Sequence, residues 1–438
     1  MYLPRMIDTS LESWANASSR CPLVLRGGRQ VGKTEAMMAL AARFGNHALA
    51  DFELAPELRN IFAGNLNPTA IIRDLEASLG VRIEAGRTLL ILDEIQECPR
   101  AIQSLRYFKE KLPALHVIAA GSLLEFALGE ISFPVGRVDY MHLYPMSFDE
   151  FLTATDRAIL VERRPRRTAW DNASELSQTT AQALNDALRE YLVVGGMPEA
   201  VATYKRTRSF LEVQRIHDRL IRSFRDDIPK YASGELQRRN VSQVFAAIAA
   251  AVGEQVTFTK LVDDDSKRTK ASLFLLEKAM LLSMVHSTSP AGLPLGASSD
   301  LKTFKPVFID VGLMQRLCGR QARDIMATDD LVASFKGQVA EQFVGQELLA
   351  SGLGSEAGRL YFWVRQAKGS GAEVDYLIVR DGQVTPVEVK SGSSGRLRSL
   401  HLLLKSYDNI KSSFCLQSRD NCSTSDQITF VPLYFDLS

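Results

Sequence analysis

The residue types and spacings best suited to chemistry lie early in the chain. Gly27, Gly28, Arg29, Gln30, Val31, Gly32, Lys33 and Thr34 satisfy G-x-x-x-x-G-K-[ST] at every fixed position, and Glu35 follows. Glycines let backbone N–H groups turn inward around a phosphate. A helix beginning here would aim its unsatisfied donors at the same anion. Lys33 would set a charge beside the β- and γ-phosphates, and the Thr34 hydroxyl would help fill an octahedral Mg²⁺ shell. Downstream, the apolar run Leu89-Leu90-Ile91-Leu92 ends in Asp93-Glu94. Asp93 would hold Mg²⁺ through water, and Glu94 would orient and polarise an attacking water. Ser122 ends HVIAAGS, where its hydroxyl would either meet the γ-phosphate or cap the next helix. Arg137, in FPVGR, would act either as an arginine finger, in its own or a neighbouring subunit, or as a surface charge.

A second set lies near the other end. Asp375 sits in EVDYLIV, Glu388 and Lys390 sit in VEVK, and Glu341 sits in the upstream stretch GQVAEQF. Alternation along a strand sends Glu388 and Lys390 to one face. An acid on one strand followed by E-x-K on the next resembles the core of PD-(D/E)XK nucleases. The resemblance implies a second Mg²⁺ or Mn²⁺ held by Asp375 and Glu388, Glu341 helping through water, and Lys390 beside the attacking water. Such a fold can also persist without cutting, with Lys390 paired to Asp375 or Glu388.

These residues need particular elements to hold them. CPLVLRG, HALADFE, TLLILDE and LHVIAAGS read as buried strands, and KTEAMMALAARFG, PTAIIRDLEASLG and PRAIQSLRYFKEKL as helices between them. Gly45 is the expected stop of the first helix. This alternation means an α/β domain, a parallel sheet with flanking helices, over residues 1–155. RAILVERRPRRTAWDNASELSQTT reads as a flexible surface segment. A helical region over 181–239 carries Arg206, Arg208, Arg215, Arg219, Arg222, Arg225, Arg238 and Arg239, expected to form a solvated face balanced by acids. Residues 240–310 look like a winged helix whose second helix starts with Lys267, Arg268 and Lys270, the end that would enter a DNA groove. Residues 331–438 read as a separate, nuclease-like α/β domain.

RGGRQVGKT, LLILDEIQ, AAGSLL and GR…LYPMSFDEF are similar to AAA-type ATPases of bacteria and archaea. So are LVVGGMPEAV, RDDIPKY, VFIDVGLM and GAEVDYLIVRDGQVTPVEVK, in that order. The C-terminal half of these relatives is usually a domain of unknown function. The resemblance implies ATP hydrolysis with Mg²⁺ and leaves two roles open: an ATPase working on DNA, or a nucleotide-dependent switch that binds a partner through an inactive nuclease-like domain. AAA-type relatives often form rings, so a homo-oligomer is one expectation.

Composition narrows this little. The 52 basic and 51 acidic side chains leave a net charge of +1, so overall charge does not announce nucleic acid. The five cysteines are scattered and lack a C-x-x-C pair, which argues against a zinc site or disulfide framework and for reduced thiols. No apolar run of membrane-spanning length and no leader-like N-terminus is seen, so a cytoplasmic protein without a membrane partner is expected.

Overall fold

The computed structural model describes residues 2–122, 124, 136–167, 176–232, 234–326, 337–353, 359–365, 371–390, 397–418, 420 and 422–437. The chain divides into two compact units: Met1–Tyr144 with Lys278–Met280, and Pro145–Glu277 with Leu281–Ser438.

The first unit runs α1 (Ile7–Asn16), β1 (Leu23–Arg26), α2 (Lys33–Ala41), β2 (Asn46–Asp51), α3 (Pro68–Leu79), β3 (Thr88–Asp93), α4 (Pro99–Lys111), β4 (His116–Gly121) and β5 (Asp139–His142). The strands form a five-stranded parallel sheet in the order β2-β3-β4-β1-β5. Parallel neighbours require crossovers, which the helices supply. Leu89, Leu90, Ile91 and Leu92 of β3 are fully buried, as a strand covered on both faces must be. Local signals fix the helix ends. Asn67 caps α3 by accepting from Thr69 N, Pro68 and Pro99 open α3 and α4, and Gly80 closes α3 at φ 68°. Helix α2 stops at Ala41, a turn before the expected stop at Gly45. Gly45 instead gives room: a Cβ there would lie 2.7 Å from Arg87 Cγ.

The second unit opens with α5 (Phe148–Ala154) and α6 (Ala158–Arg163). The compact unit thus begins at Pro145, before the domain end expected at 155, and includes α5. Phe148 and Phe151 pack on Tyr191, with ring centroids 5.6 and 5.2 Å apart. Part of the segment expected to be flexible is likewise ordered, and Arg164 within it is buried. Its guanidinium meets Asp149 Oδ1 at 2.7 Å and Glu347 Oε2 at 3.7 Å, and donates to Tyr434 O. Glu347 also accepts from Phe148 N at 2.9 Å. Burial pushes the Glu347 carboxyl up to about 8, against the pull of Arg164. Residues 168–175 of that segment lie outside the described residues.

There follow α7 (Gln178–Val194), α8 (Pro198–Thr207), α9 (Phe210–Tyr231), α10 (Glu235–Ala250), β6 (Val256–Thr257), α11 (Ser266–Lys278), β7 (Leu282–Ser287), β8 (Asp300–Phe308), α12 (Val311–Leu317) and α13 (Ala322–Met326). Several of the arginines in this stretch pair with acids, as expected: Arg215 with Glu212 at 2.6 Å, and Arg219 with Glu199. The chain ends with α14 (Gln338–Ala350), β9 (Tyr361–Val364), β10 (Glu373–Arg380), β11 (Gln383–Val389), α15 (Arg398–Ser406), β12 (Ser413–Gln417), β13 (Ser423–Ser425) and β14 (Ile428–Pro432). Among the described residues, nine strands of this unit join one sheet, β13-β14-β12-β11-β10-β9-β7-β8-β6. β7 pairs in parallel with β9 through His286↔Tyr361 and Ser287↔Phe362. The stretches 240–310 and 331–438, read from sequence as separate bodies, therefore share a sheet, because each offers the other an unpaired strand edge.

A buried polar knot ties this unit together. Asp310 caps α12 by accepting from Leu313 N at 2.9 Å, and its other oxygen accepts from Gly196 N at 2.6 Å. Gly196 O accepts from Met146 N, Met146 O accepts from the Tyr191 hydroxyl, and that hydroxyl accepts from Gln346 Nε2 at 2.8 Å. The motifs VGGMPEA and FIDVGLM thus meet face to face. A Cβ on Gly196 would stand 2.1 Å from Met146 O, and one on Gly195, at φ 71°, 2.2 Å from Asp310 Oδ1. Gly196→Ala should therefore cost about 1–3 kcal/mol or more, read as a lower midpoint in urea. A midpoint within error of wild type would show that the knot yields without cost.

Asp310 adds a pH dependence. Burial pushes its carboxyl up to about 6, against the three backbone N–H groups that favour the ionised form. The folded chain then holds a proton that the unfolded chain releases. Stability from this group is full below the unfolded value, about 4, and is lost as pH rises through about 6. Urea midpoints should fall between about pH 4 and 6 by less in Asp310→Ala than in wild type; an equal fall would assign the slope to other groups.

Candidate functional site

The glycine loop joins the C-terminal end of β1 to α2, where an open parallel sheet gathers ligands. Its backbone demands its residue types. Gly32 has φ 97° and Gln30 φ 64°, and a Cβ on Gly27 would lie 2.4 Å from Leu143 O. Lys33 is buried, and its ammonium donates to Gly27 O at 2.9 Å and Gly28 O at 2.8 Å. The loop thus folds around its own cation. Burial holds the Lys33 amine down to about 8, despite Glu94 and Asp93 nearby. A buried ammonium held by two backbone carbonyls, at a helix N-terminus, fits an anionic phosphate.

The acids stand where β3 ends. Thr34 Oγ1 donates to Asp93 Oδ2 at 2.6 Å, and Glu94 N donates to Asp93 Oδ1 at 2.9 Å. Burial raises the Asp93 carboxyl, and these two donors oppose it. A hydroxyl and a carboxylate in contact are the hard oxygen donors that Mg²⁺ takes, so the pair fits that ion. Glu94 turns out of the strand at φ 46°, a conformation disfavoured for a non-glycine residue. Ser122 Oγ lies 3.2 Å from both carboxylate oxygens of Glu94. Thr34, Asp93, Glu94 and Ser122 are thereby linked in one hydrogen-bonded run, with Lys33 beside Thr34 in the loop. The helix expected after Ser122 falls largely outside the described residues.

Arg137 is elsewhere. Its Nε lies 3.3 Å from Glu110 Oε1 on α4, a carboxylate shared with Arg106 at 3.0 Å. Two residues had escaped the motif reading. Gln96 Nε2 donates to Glu94 Oε2 at 2.7 Å and, with Ser122, steadies the carboxylate. Room for Gln96 comes from Gly121, where a Cβ would stand 2.1 Å from its Oε1. Arg5 donates to Val31 O at 2.9 Å and to Tyr144 O at 2.7 Å, bracing the loop from the chain start. Only the sequence position of Gln96, two residues past Glu94, offered a signal; nothing flagged Arg5.

The second set does converge, around a group the sequence reading left out. The β10–β11 register runs to Tyr376↔Val387, and one further step sets Asp375 opposite Glu388. A bulge between Val374 and Leu377 re-aims β10 here. Lys305 of β8, almost wholly buried, reaches Glu341 Oε2 at 2.7 Å, Glu373 Oε1 at 2.6 Å and Asp375 Oδ1 at 3.0 Å. Asp375 Oδ2 accepts from Val389 N at 2.8 Å, and Lys390 pairs with Glu388. Burial pushes the Glu341 and Glu388 carboxyls up to about 8, and Asp375 adds to both. Among the described residues no group of three or more His, Cys, Asp or Glu is arranged to hold a metal ion. An ammonium stands among the carboxylates, and the expected Mg²⁺ or Mn²⁺ does not fit this arrangement.

Comparison with known proteins gives a described family for the stretch that holds the first set and domains of unknown function for the stretches that hold the second. Residues 19–152 match the model of an AAA domain, and 185–324 and 336–435 match two domains of unknown function, DUF8612 and DUF4143. No curated protein matches the chain. Among solved structures, C. elegans PCH-2 is 12% identical over 49% of this chain and 67% of its own, with a TM-score of 0.29. AMPPCP-bound DnaA from Aquifex aeolicus is 12% identical over 63% of this chain and 86% of its own, at 0.27. Drosophila ORC bound to DNA is 14% identical over 71% and 84%, at 0.26. The match over residues 19–152 and the glycine loop on its five-stranded parallel sheet together make the N-terminal part of this chain an AAA-type P-loop domain.

Proposed function

We propose that the chain binds ATP with Mg²⁺ in the 27–35 loop, hydrolyses it, and uses the nucleotide state to control binding of DNA by its second unit. The observation that carries the ATPase part is the hydrogen-bonded run Thr34–Asp93–Glu94–Ser122 beside the buried Lys33. On this reading Gly27 to Gly32 wrap the phosphates, and Lys33 exchanges its carbonyl partners for phosphate oxygens. Thr34 and Asp93 hold Mg²⁺, which neutralises charge developing on the phosphates. Glu94, kept in orientation by Ser122 and Gln96, accepts the proton of the attacking water. Arg137 is assigned no role within one subunit; a role across a subunit interface requires an oligomer.

The DNA part is supported by α11, which opens with Lys267, Arg268 and Lys270 between β6 and the β7–β8 hairpin, an order of elements like that of a winged helix. Lys270 lies over the rings of Phe258 and Phe274, and Phe274 is half exposed. On this reading the nuclease-like end of the chain is a platform and does not cut. A second reading, a switch that binds a protein partner, draws on the same closed carboxylate cluster.

Glu94→Gln should keep ATP bound and lower turnover by about 10²- to 10⁴-fold; wild-type turnover would give Glu94 another task. Lys33→Ala should weaken ATP binding by at least about tenfold. Lys33 also sets a pH limit, because phosphates favour the ammonium while the free site lets it go near 8. Affinity should be flat below about pH 8 and fall by up to about tenfold per pH unit above it, a slope absent from Lys33→Ala. Titration calorimetry across pH 6.5–9.5 measures both. For the DNA part, ATP turnover is measured with and without single-stranded, duplex and branched DNA. Stimulation that Lys267→Glu with Lys270→Glu abolishes supports DNA coupling; no response and no DNA binding by any form leaves the partner-binding switch.

A further inference from the structure

We propose that Lys305 is a built-in counter-ion standing where a divalent cation would sit, so that the pocket of Glu341, Glu373, Asp375 and Glu388 takes a metal only when that ammonium is removed. The inference rests on the carboxylate pocket of the platform reading and is independent of nucleotide chemistry.

An ammonium has three N–H donors and no acceptor. Lys305 donates to Glu373 Oε1 and Asp375 Oδ1 on β10 and forms an ion pair with Glu341 Oε2 on α14, all within 3.0 Å. Its side chain is 3% exposed. A lysine so deeply buried is tolerated only when opposite charges and hydrogen bonds replace its water, which these three acids do. The carboxylates are less complete. Among the described residues, the buried Glu341 Oε2 and Glu388 Oε2 have no hydrogen-bond partner, while Glu388 Oε1 pairs with Lys390. Among the described residues the four acids face two ammonium groups, Lys305 and Lys390, and without Lys305 they would face Lys390. Several hard oxygens with excess negative charge are the donor set that Mg²⁺ and Mn²⁺ prefer.

The origin of Lys305 makes the arrangement more than a local salt bridge. It comes from β8, which reaches the acids through the joint sheet. The strand that carries the cation belongs to the 240–310 stretch, and the acids belong to the 331–438 stretch. Only the pairing of these two stretches brings the charge to the pocket.

Mn²⁺ is the probe, titrated into nucleotide-free protein and followed by loss of the free-ion electron paramagnetic resonance signal. Wild type should show no site that Asp375→Asn removes. Lys305→Met, nearly the same shape without the charge, should gain one Mn²⁺ per chain at least tenfold tighter than any wild-type binding. Asp375→Asn added to Lys305→Met should lose it, which assigns the ion to this pocket and not to Thr34 and Asp93. Should Lys305→Met not fold, judged by its circular dichroism melt, Lys305→Met with Glu373→Gln removes one charge of each sign and leaves Glu341, Asp375 and Glu388 as donors. Two results overturn the proposal: Mn²⁺ binding in wild type that Asp375→Asn abolishes, or a folded Lys305-free variant that binds no Mn²⁺. ATP turnover of the same proteins tests the ATPase reading separately.

Discussion

Taking a carboxylate out of water costs several kcal/mol unless donors or a cation replace its hydration. That constraint organises both units. Asp93 is buried at the end of β3 and is met by the Thr34 hydroxyl and the Glu94 N–H. Asp310 is met by backbone N–H groups on two sides of a turn. Glu347 is met by Arg164 and the Phe148 N–H, and Asp375 by Lys305 and the Val389 N–H. In each case at least one partner comes from an element distant in sequence, so satisfying the acid also fixes how those elements meet. At Asp93 one partner is the Thr34 hydroxyl, itself a hard oxygen donor beside the glycine loop. At Asp310 and Glu347 the partners are structural, and the solution is a joint.

The legible part of the sequence was the part built from local rules. A glycine loop between strand and helix, two acids ending an apolar strand, and a hydroxyl ending the next strand are all short-range patterns, and the structure links them. Helix caps at Asn67, Pro68 and Pro99 are of the same kind. What stayed illegible depends on long-range meetings. Arg5 supports the loop from the other side of β1, and Lys305 reaches Asp375 across 70 residues of chain. Neither lies in a motif, and no single sequence reveals which distant side chain will arrive at a buried charge. The packing of α5 is of the same long-range kind: it follows β5 closely in sequence, and its Phe148 and Phe151 pack on Tyr191 of the second unit. The glycines of VGGM were noticed as a family resemblance only; their reason is the absence of space beside Met146 O and Asp310.

The pairing of β7 with β9 bears on how this protein can be taken apart. The segments that match domains of unknown function end at 324 and begin at 336, and a cut between them looks harmless in the sequence. It would leave β7 without its parallel neighbour in one fragment and β9 without its own in the other. Each fragment would then present a bare strand edge flanked by apolar side chains such as Phe362 and Val285, the geometry that templates pairing with other chains. Halves expressed alone are liable to aggregate, while the same halves supplied together have a ready means of finding each other. Sequence modules and physical modules therefore do not coincide here, and dissection experiments should follow the sheet rather than the motif boundaries.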